Sequence, residues 1–144
     1  MTLNEILQVK GSAVHSITPD ASLVEVAQRL VDHHCGSLLV CQRGDCDRVF
    51  GIITERDLLQ AAAANDGSLQ NLRVDQYMTS MLITANPQAT IEDVMGLMTE
   101  NRIRHVPVLD GDRLVGMVSI GDIVKAQRHL IEQENHLLKS YILS

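Results

Sequence analysis

The feature that most constrains this chain is that its sequence is written twice. Set against itself at an offset of 68 residues, Pro19 falls on Pro87, Ala21 on Ala89, Val26 on Val94 and Val40 on Val108. After the loop Gln42–Arg48 the offset shortens to 65, and Gly51 meets Gly116, Asp57 meets Asp122 and Ala61 meets Ala126. The segments between these anchors agree in character: SLLV with HVPV, and GIITERDLL with GMVSIGDIV. Self-similarity at a fixed period marks one supersecondary unit used repeatedly, and it decides the architecture before composition is consulted.

Both copies predict the same elements. In the first, Ala13–Ile17 reads as a short strand stopped by Thr18-Pro19-Asp20. Ser22 then caps a helix carrying Leu23, Val26, Ala27 and Leu30 at helical spacing, with Glu25 three residues beyond the cap. The helix ends near Gly36, Leu38–Cys41 is an apolar strand, and a polar loop containing Gly44 leads to the strand Val49–Thr54. A helix over Glu55–Ala64 closes the unit. In the second copy, Leu82–Ala85 is the strand, and Thr90 caps a helix carrying Ile91, Val94, Leu97 and Met98. The strands Val106–Leu109 and Leu114–Ser119 are joined by Asp110-Gly111-Asp112-Arg113, a hairpin signal. The helix beginning at Ile120 runs on towards the C-terminus.

One strand–helix–strand–strand–helix unit has an apolar sheet face and an apolar helix stripe that it cannot cover alone. Two copies packed by their sheets solve that burial problem. The expected fold class is α/β (α+β): two β-α-β-β-α repeats packed sheet to sheet with pseudo-two-fold symmetry, plus a C-terminal helix. The expected boundaries are a first repeat at 1–64, a linker at 65–76, a second repeat at 77–129 and an amphipathic extension at 130–144.

Composition narrows the function. At 144 residues and 45% apolar, the chain builds a core, but one Phe, two Tyr and no Trp make that core aliphatic. A net charge of −6 and a pI near 5.4 disfavour a broad nucleic-acid surface, which needs a basic stripe to displace counterions. No apolar stretch approaches the ~18 residues of a bilayer span. The N-terminus lacks the apolar region and cleavage site of an export signal, so a cytoplasmic location is expected. Cys35, Cys41 and Cys46 form an odd set without a C-x-x-C pair; free thiols are expected rather than a disulfide framework, and no metal site with His33 and His34. His33-His34 reads as a solvated helix end, and Met95 and Met98 as core packing.

The tandem repeat, with G-x-x-T-x-x-D at Gly51–Asp57 and G-x-x-S-x-x-D at Gly116–Asp122, resembles a pair of cystathionine-β-synthase (CBS) domains. The resemblance runs from about Leu3 to about His129 and is to the stand-alone bacterial or archaeal type, with no catalytic or channel domain attached. It implies a non-catalytic regulatory module that senses an adenosine-containing ligand: AMP first, with ADP, ATP, NAD(H) or an S-adenosyl compound as alternatives. No cofactor is required. The resemblance also implies a disc-like homodimer, and regulation of a protein target that the sequence does not identify.

The motif makes chemical sense on its own. Thr54 and Ser119 stand where a strand ends and a helix begins, where free backbone N–H groups favour an anion such as phosphate. The aspartate three residues on lies one helical turn away, and its carboxylate can accept both vicinal hydroxyls of a ribose. The same aspartates read equally as ordinary helix caps. By the resemblance, Thr54 and Asp57 of one repeat face Arg104 and His105 of the other, whose charge would meet phosphate, while Ser119 and Asp122 face the uncharged Gly36 and Ser37. Lys10, just before the first strand, is then the candidate cation for that second site. Arg104 and His105 also read as solvated strand-edge residues, and Arg56 either reaches phosphate or pairs with Glu55 or Asp57.

No Cys-His, Ser-His-Asp or paired-carboxylate arrangement supports an enzyme. The alternative to a sensor is a structural dimerisation or adaptor module without ligand. In the tail, Leu130, Ile131, Leu137, Leu138, Tyr141 and Ile142 form an apolar stripe. It must pack either on its own repeat or, as expected, on a second chain.

Overall fold

The structure, a computed structural model, describes residues 1–43 and 45–143. Gly44 of the expected polar loop and Ser144 of the expected C-terminal extension lie outside the described residues. The chain divides into two compact units. One comprises Ala13–Leu82 with Asp112–Leu114; the other comprises Met1–Ser12, Ile83–Gly111 and the chain from Val115 onward.

The first unit holds a three-stranded sheet, ordered β1 (Ser16–Ile17), β2 (Ser37–Gln42) and β3 (Asp45–Thr54). β1 runs parallel to β2 and β2 antiparallel to β3, with Ser37 opposite Thr54 and Leu39 opposite Ile52. Helix α2 (Leu23–His33) starts at Ser22, whose hydroxyl accepts from the Glu25 N–H at 3.1 Å, the expected cap. Its Leu23, Val26 and Leu30 are buried with Leu38, Val40 and Ile53. α3 (Glu55–Ala64) follows β3 directly, and a single turn, α4 (Val74–Tyr77), buries Val74 in the same core.

The second unit packs α1 (Leu3–Lys10), α5 (Ile91–Asn101) and α6 (Ile120–Leu143) around β4 (His105–Asp110) and the part of β5 (Arg113–Ser119) from Val115 onward. Leu3, Val94, Val106, Val108, Val118 and Ile123 are fully buried there. The first twelve residues, placed with the first repeat by the sequence reading, pack with this unit. The reason is local: Thr2 caps a helix that places Leu3, Ile6 and Leu7 on one face, and all three are buried in the core built from the second repeat. The Thr2/Glu5 cap spacing and that i, i+3, i+4 pattern were visible signals for a helix here.

The strand expected at Leu82–Ala85 shrinks to one parallel bridge, Ala85 to Val108. In the first repeat the Leu39 N–H donates to His15 O at 3.1 Å, extending the pairing. The position equivalent to Leu39, 68 residues on, is Pro107, which has no N–H to offer Ile83. The last helix is continuous from Ile120 to Leu143. Among the described residues no helix is long and apolar enough to cross a membrane.

Candidate functional site

Each repeat ends its sheet in the same turn. In the first, Thr54 leaves β3 and caps α3. Its N–H donates to Asp57 Oδ2 at 2.9 Å, its Oγ1 donates to the same oxygen at 3.2 Å, and the Asp57 N–H donates back to Oγ1 at 3.4 Å. In the second, the Ser119 N–H donates to Asp122 Oδ2 at 2.8 Å and the Asp122 N–H donates to Ser119 Oγ at 3.2 Å. Both aspartates are therefore reciprocal caps, the structural role that the sequence left open. Capping engages part of a carboxylate with several acceptor positions, so it does not exhaust either group.

The strand that opens each repeat's hairpin braces its turn. Gly36 O accepts from the Glu55 N–H at 3.1 Å, and Ser37, a buried polar residue, lies opposite Thr54. In the second unit Arg104 O accepts from the Ile120 N–H at 2.8 Å, and His105 opens β4. Gly36 and Ser37 thus adjoin the Thr54–Asp57 turn, and Arg104 and His105 adjoin the Ser119–Asp122 turn, each within its own unit. Arg104 is exposed and His105 half-buried; Arg56 is exposed on the first turn of α3.

The electrostatics of the turns differ. Asp57 is half-buried, and that burial pushes its carboxyl above the ordinary range, against the opposing pull of its bonds to Thr54 and the charge of Arg56. Burial also acts on Asp122, but here the Lys10 ammonium and the bonds to Ser119 outweigh it and hold the carboxyl below its ordinary value. Lys10 Nζ lies 2.6 Å from Asp122 Oδ2 and 2.7 Å from Met117 O. The structure thus brings together Lys10 and Asp122, which the sequence matched at a separation of 112 residues. Nothing in the sequence pointed to the Met117 carbonyl, because a backbone acceptor leaves no mark on residue type.

The thiols are free in all three cysteines, and burial beside Cys46 pushes the Cys41 thiol up, so it stays protonated. Among the described residues no three His, Cys, Asp or Glu side chains are grouped to hold a metal. His33 stacks on His15 with ring centroids 4.0 Å apart, and His34 ends α2 in the left-handed conformation.

The CBS domain family model matches the chain twice, over residues 8–64 and 74–129. A mitochondrial CBS domain-containing protein of Arabidopsis thaliana is 35% identical over 98% of this chain and 71% of its own. A crystal structure of a CBS-domain containing protein from Agrobacterium tumefaciens superposes with a TM-score of 0.82 at 38% identity, covering 88% of this chain and 99% of that one. The CBS domain pair of protein MJ0100, solved in complex with 5′-methylthioadenosine and S-adenosyl-L-methionine, superposes with a TM-score of 0.72 at 27% identity, covering 88% and 98%.

Proposed function

Since the chain belongs to the CBS domain family, whose tandem pairs are regulatory modules, we propose that it is a non-catalytic sensor of an adenosine-containing ligand, with AMP the first choice. The observation that carries the reading is the duplicated turn, in which a half-buried aspartate is fixed beside a strand-to-helix junction in both units. In this reading Asp57 and Asp122 accept ribose hydroxyls. Thr54 and Ser119, with the helix N-termini behind them, favour the ligand's anionic group. Gly36 and Ser37 leave room beside the turns, while Arg56, Arg104, His105 and Lys10 supply charge. The complex of the MJ0100 pair with two adenosine-containing ligands supports that ligand class. Binding favours one arrangement of the chain over others, and so biases the surface offered to a protein target.

Thermal unfolding against AMP, ADP, ATP, NAD(H) and S-adenosyl-L-methionine tests the class. A ligand at a hundred times its Kd stabilises the folded state by about 2.7 kcal/mol. Calorimetric titration then tests the residues. Each aspartate replaced by alanine is expected to weaken AMP at its site by about 1.5–3 kcal/mol, the worth of a charged hydrogen bond. A double variant that binds AMP as tightly as the parent removes ribose recognition, and a flat response to the whole panel leaves the adaptor reading.

The working form in this reading is a homodimer. Beyond Leu130 every described residue of α6 is exposed, including Ile131, Leu137, Leu138 and Ile142. A helix segment of this length is marginal in water without a partner for its apolar stripe. Truncation after Gln127 is expected to lower the dimer fraction measured by light scattering across a dilution series. A truncated chain as dimeric as the parent would show that the tail contributes nothing to association.

A further inference from the structure

The Lys10–Asp122 pair joins the end of α1 to the aspartate of the second turn at 2.6 Å. Its side chains are 34% and 22% exposed, so the pair is not sealed from solvent. Nor does α1 need it for docking, because Leu3, Ile6 and Leu7 already bury the helix in the core of the second unit. Lys10 is the last residue of α1, and Gly11 follows it at a φ of 96°, a backbone conformation that side-chain-bearing residues rarely adopt. The ammonium sits at the end of a flexible four-carbon stem, a point charge able to change partner without moving the helix. It now rests on the carboxylate that the proposed function assigns to ribose.

A ribose contributes two hydroxyl donors and no charge. When it takes up Asp122, the carboxylate exchanges a cation for neutral partners, and the ammonium is left without its counter-charge beside Met117 O. A phosphate carried by the same ligand supplies the missing anion, and a neutral nucleoside does not. We propose that Lys10 is a specificity-determining residue: it holds Asp122 in the free protein, passes to the phosphate when the ribose takes Asp122, and so selects anionic adenosine ligands over neutral ones. This rests on the ribose reading of Asp122, and no covalent step is involved.

The test uses the full chain carrying Asp57→Ala, so that the Asp122 site reports alone, with AMP and adenosine as calorimetric probes. AMP is expected to bind at least about tenfold tighter than adenosine, a charged hydrogen bond being worth that much or more. Adding Lys10→Met, which keeps an apolar stem and removes the charge, is expected to cost AMP about tenfold and to leave adenosine unchanged or tighter. An AMP-to-adenosine ratio that survives Lys10→Met overturns the proposal. Carbon-detected NMR titration of Asp122 in the free protein is a second readout. Lys10→Met should move its midpoint upward, and an unmoved midpoint shows that there is no pair to exchange. Adding Asp122→Ala to Asp57→Ala separates the two readings. If that variant binds AMP undiminished, or if the Asp57→Ala chain takes up neither probe, the ribose reading fails and the proposal falls with it. If Asp122→Ala abolishes binding while the ratio ignores Lys10, only the proposal falls.

Discussion

The Thr54–Asp57 and Ser119–Asp122 turns have the same cap geometry and opposite electrostatics. Both aspartates accept the N–H of the residue three before them, yet burial raises the Asp57 carboxyl and Lys10 helps to lower that of Asp122. Within its own unit Asp57 has no ion-pair partner among the described residues. For Asp122 the cause lies outside the repeated motif, in Lys10. The segment preceding each repeat's first strand packs on the other repeat's sheet: α1 brings Leu7 against Gly116, and the chain after α4 brings Met78 and Thr79 against Gly51. Sixty-eight residues after Lys10 stands Met78, so one crossing segment delivers an ammonium and the other a thioether. The turn recurs in both units, and only at Asp122 does the crossing segment bring an ammonium to the carboxylate among the described residues.

The largest expected effect that would sharpen this comparison is steric. A Cβ added at Gly51 would lie 2.5 Å from Thr79 O, a backbone atom that accepts from the Ile52 N–H at 3.0 Å while the Thr79 N–H donates back to Ile52 O. At Gly116 the Cβ would lie 2.7 Å from Leu7 Cδ2, the end of a side chain able to rotate. Gly51→Ala is therefore expected to cost about 3 kcal/mol in urea unfolding and Gly116→Ala about 1 kcal/mol. Equal costs would break the claim that backbone crosses one site and side chain the other.

The caps come next. Thr54→Ala and Ser119→Ala should each cost about 1 kcal/mol. Thr54→Ala should cost more, because its hydroxyl also donates to Asp57 Oδ2. Chemical denaturation of both variants checks the order, and a costlier Ser119→Ala would reverse it.

The smallest effect is the pH dependence, where the two turns should differ in sign. The Asp57 carboxyl is raised in the folded chain, so its ionisation destabilises the fold as pH rises past the ordinary value of 3.8 and through the raised one. Asp57→Asn should then gain stability at neutral pH, and the gain should vanish in acid. The Asp122 carboxyl is lowered, so its contribution is full above 3.8 and is lost as pH falls through the folded value. Asp122→Asn should lose stability at neutral pH and match the parent in acid. Both differences should stay under about 1 kcal/mol, since the groups are partly exposed. Unfolding followed across that pH range would show two curves of opposite slope; curves of like sign would erase the electrostatic contrast.

Much of this protein was written in its sequence, because the deciding physics is local. The capping spacings at Ser22, Thr54 and Thr90 and the helical recurrence of Leu23, Val26 and Leu30 needed no distant partner, and the structure keeps them. The offset of the repeats likewise located both aspartate turns, and the resemblance to CBS pairs assigned Lys10 to the site of Asp122. What the tertiary structure decided was non-local. Whether α1 joins the repeat beside it in sequence or the other one depends on which core accepts Leu3, Ile6 and Leu7. How far the strand before Asn86 pairs depends on the proline opposite it, 22 residues on by chain count from Ala85 to Pro107. The lowered carboxyl of Asp122 depends on a lysine that reaches it only after folding. A pattern of residue types fixes conformation over a few turns of chain, whereas burial and charge are set by neighbours that the chain order does not name.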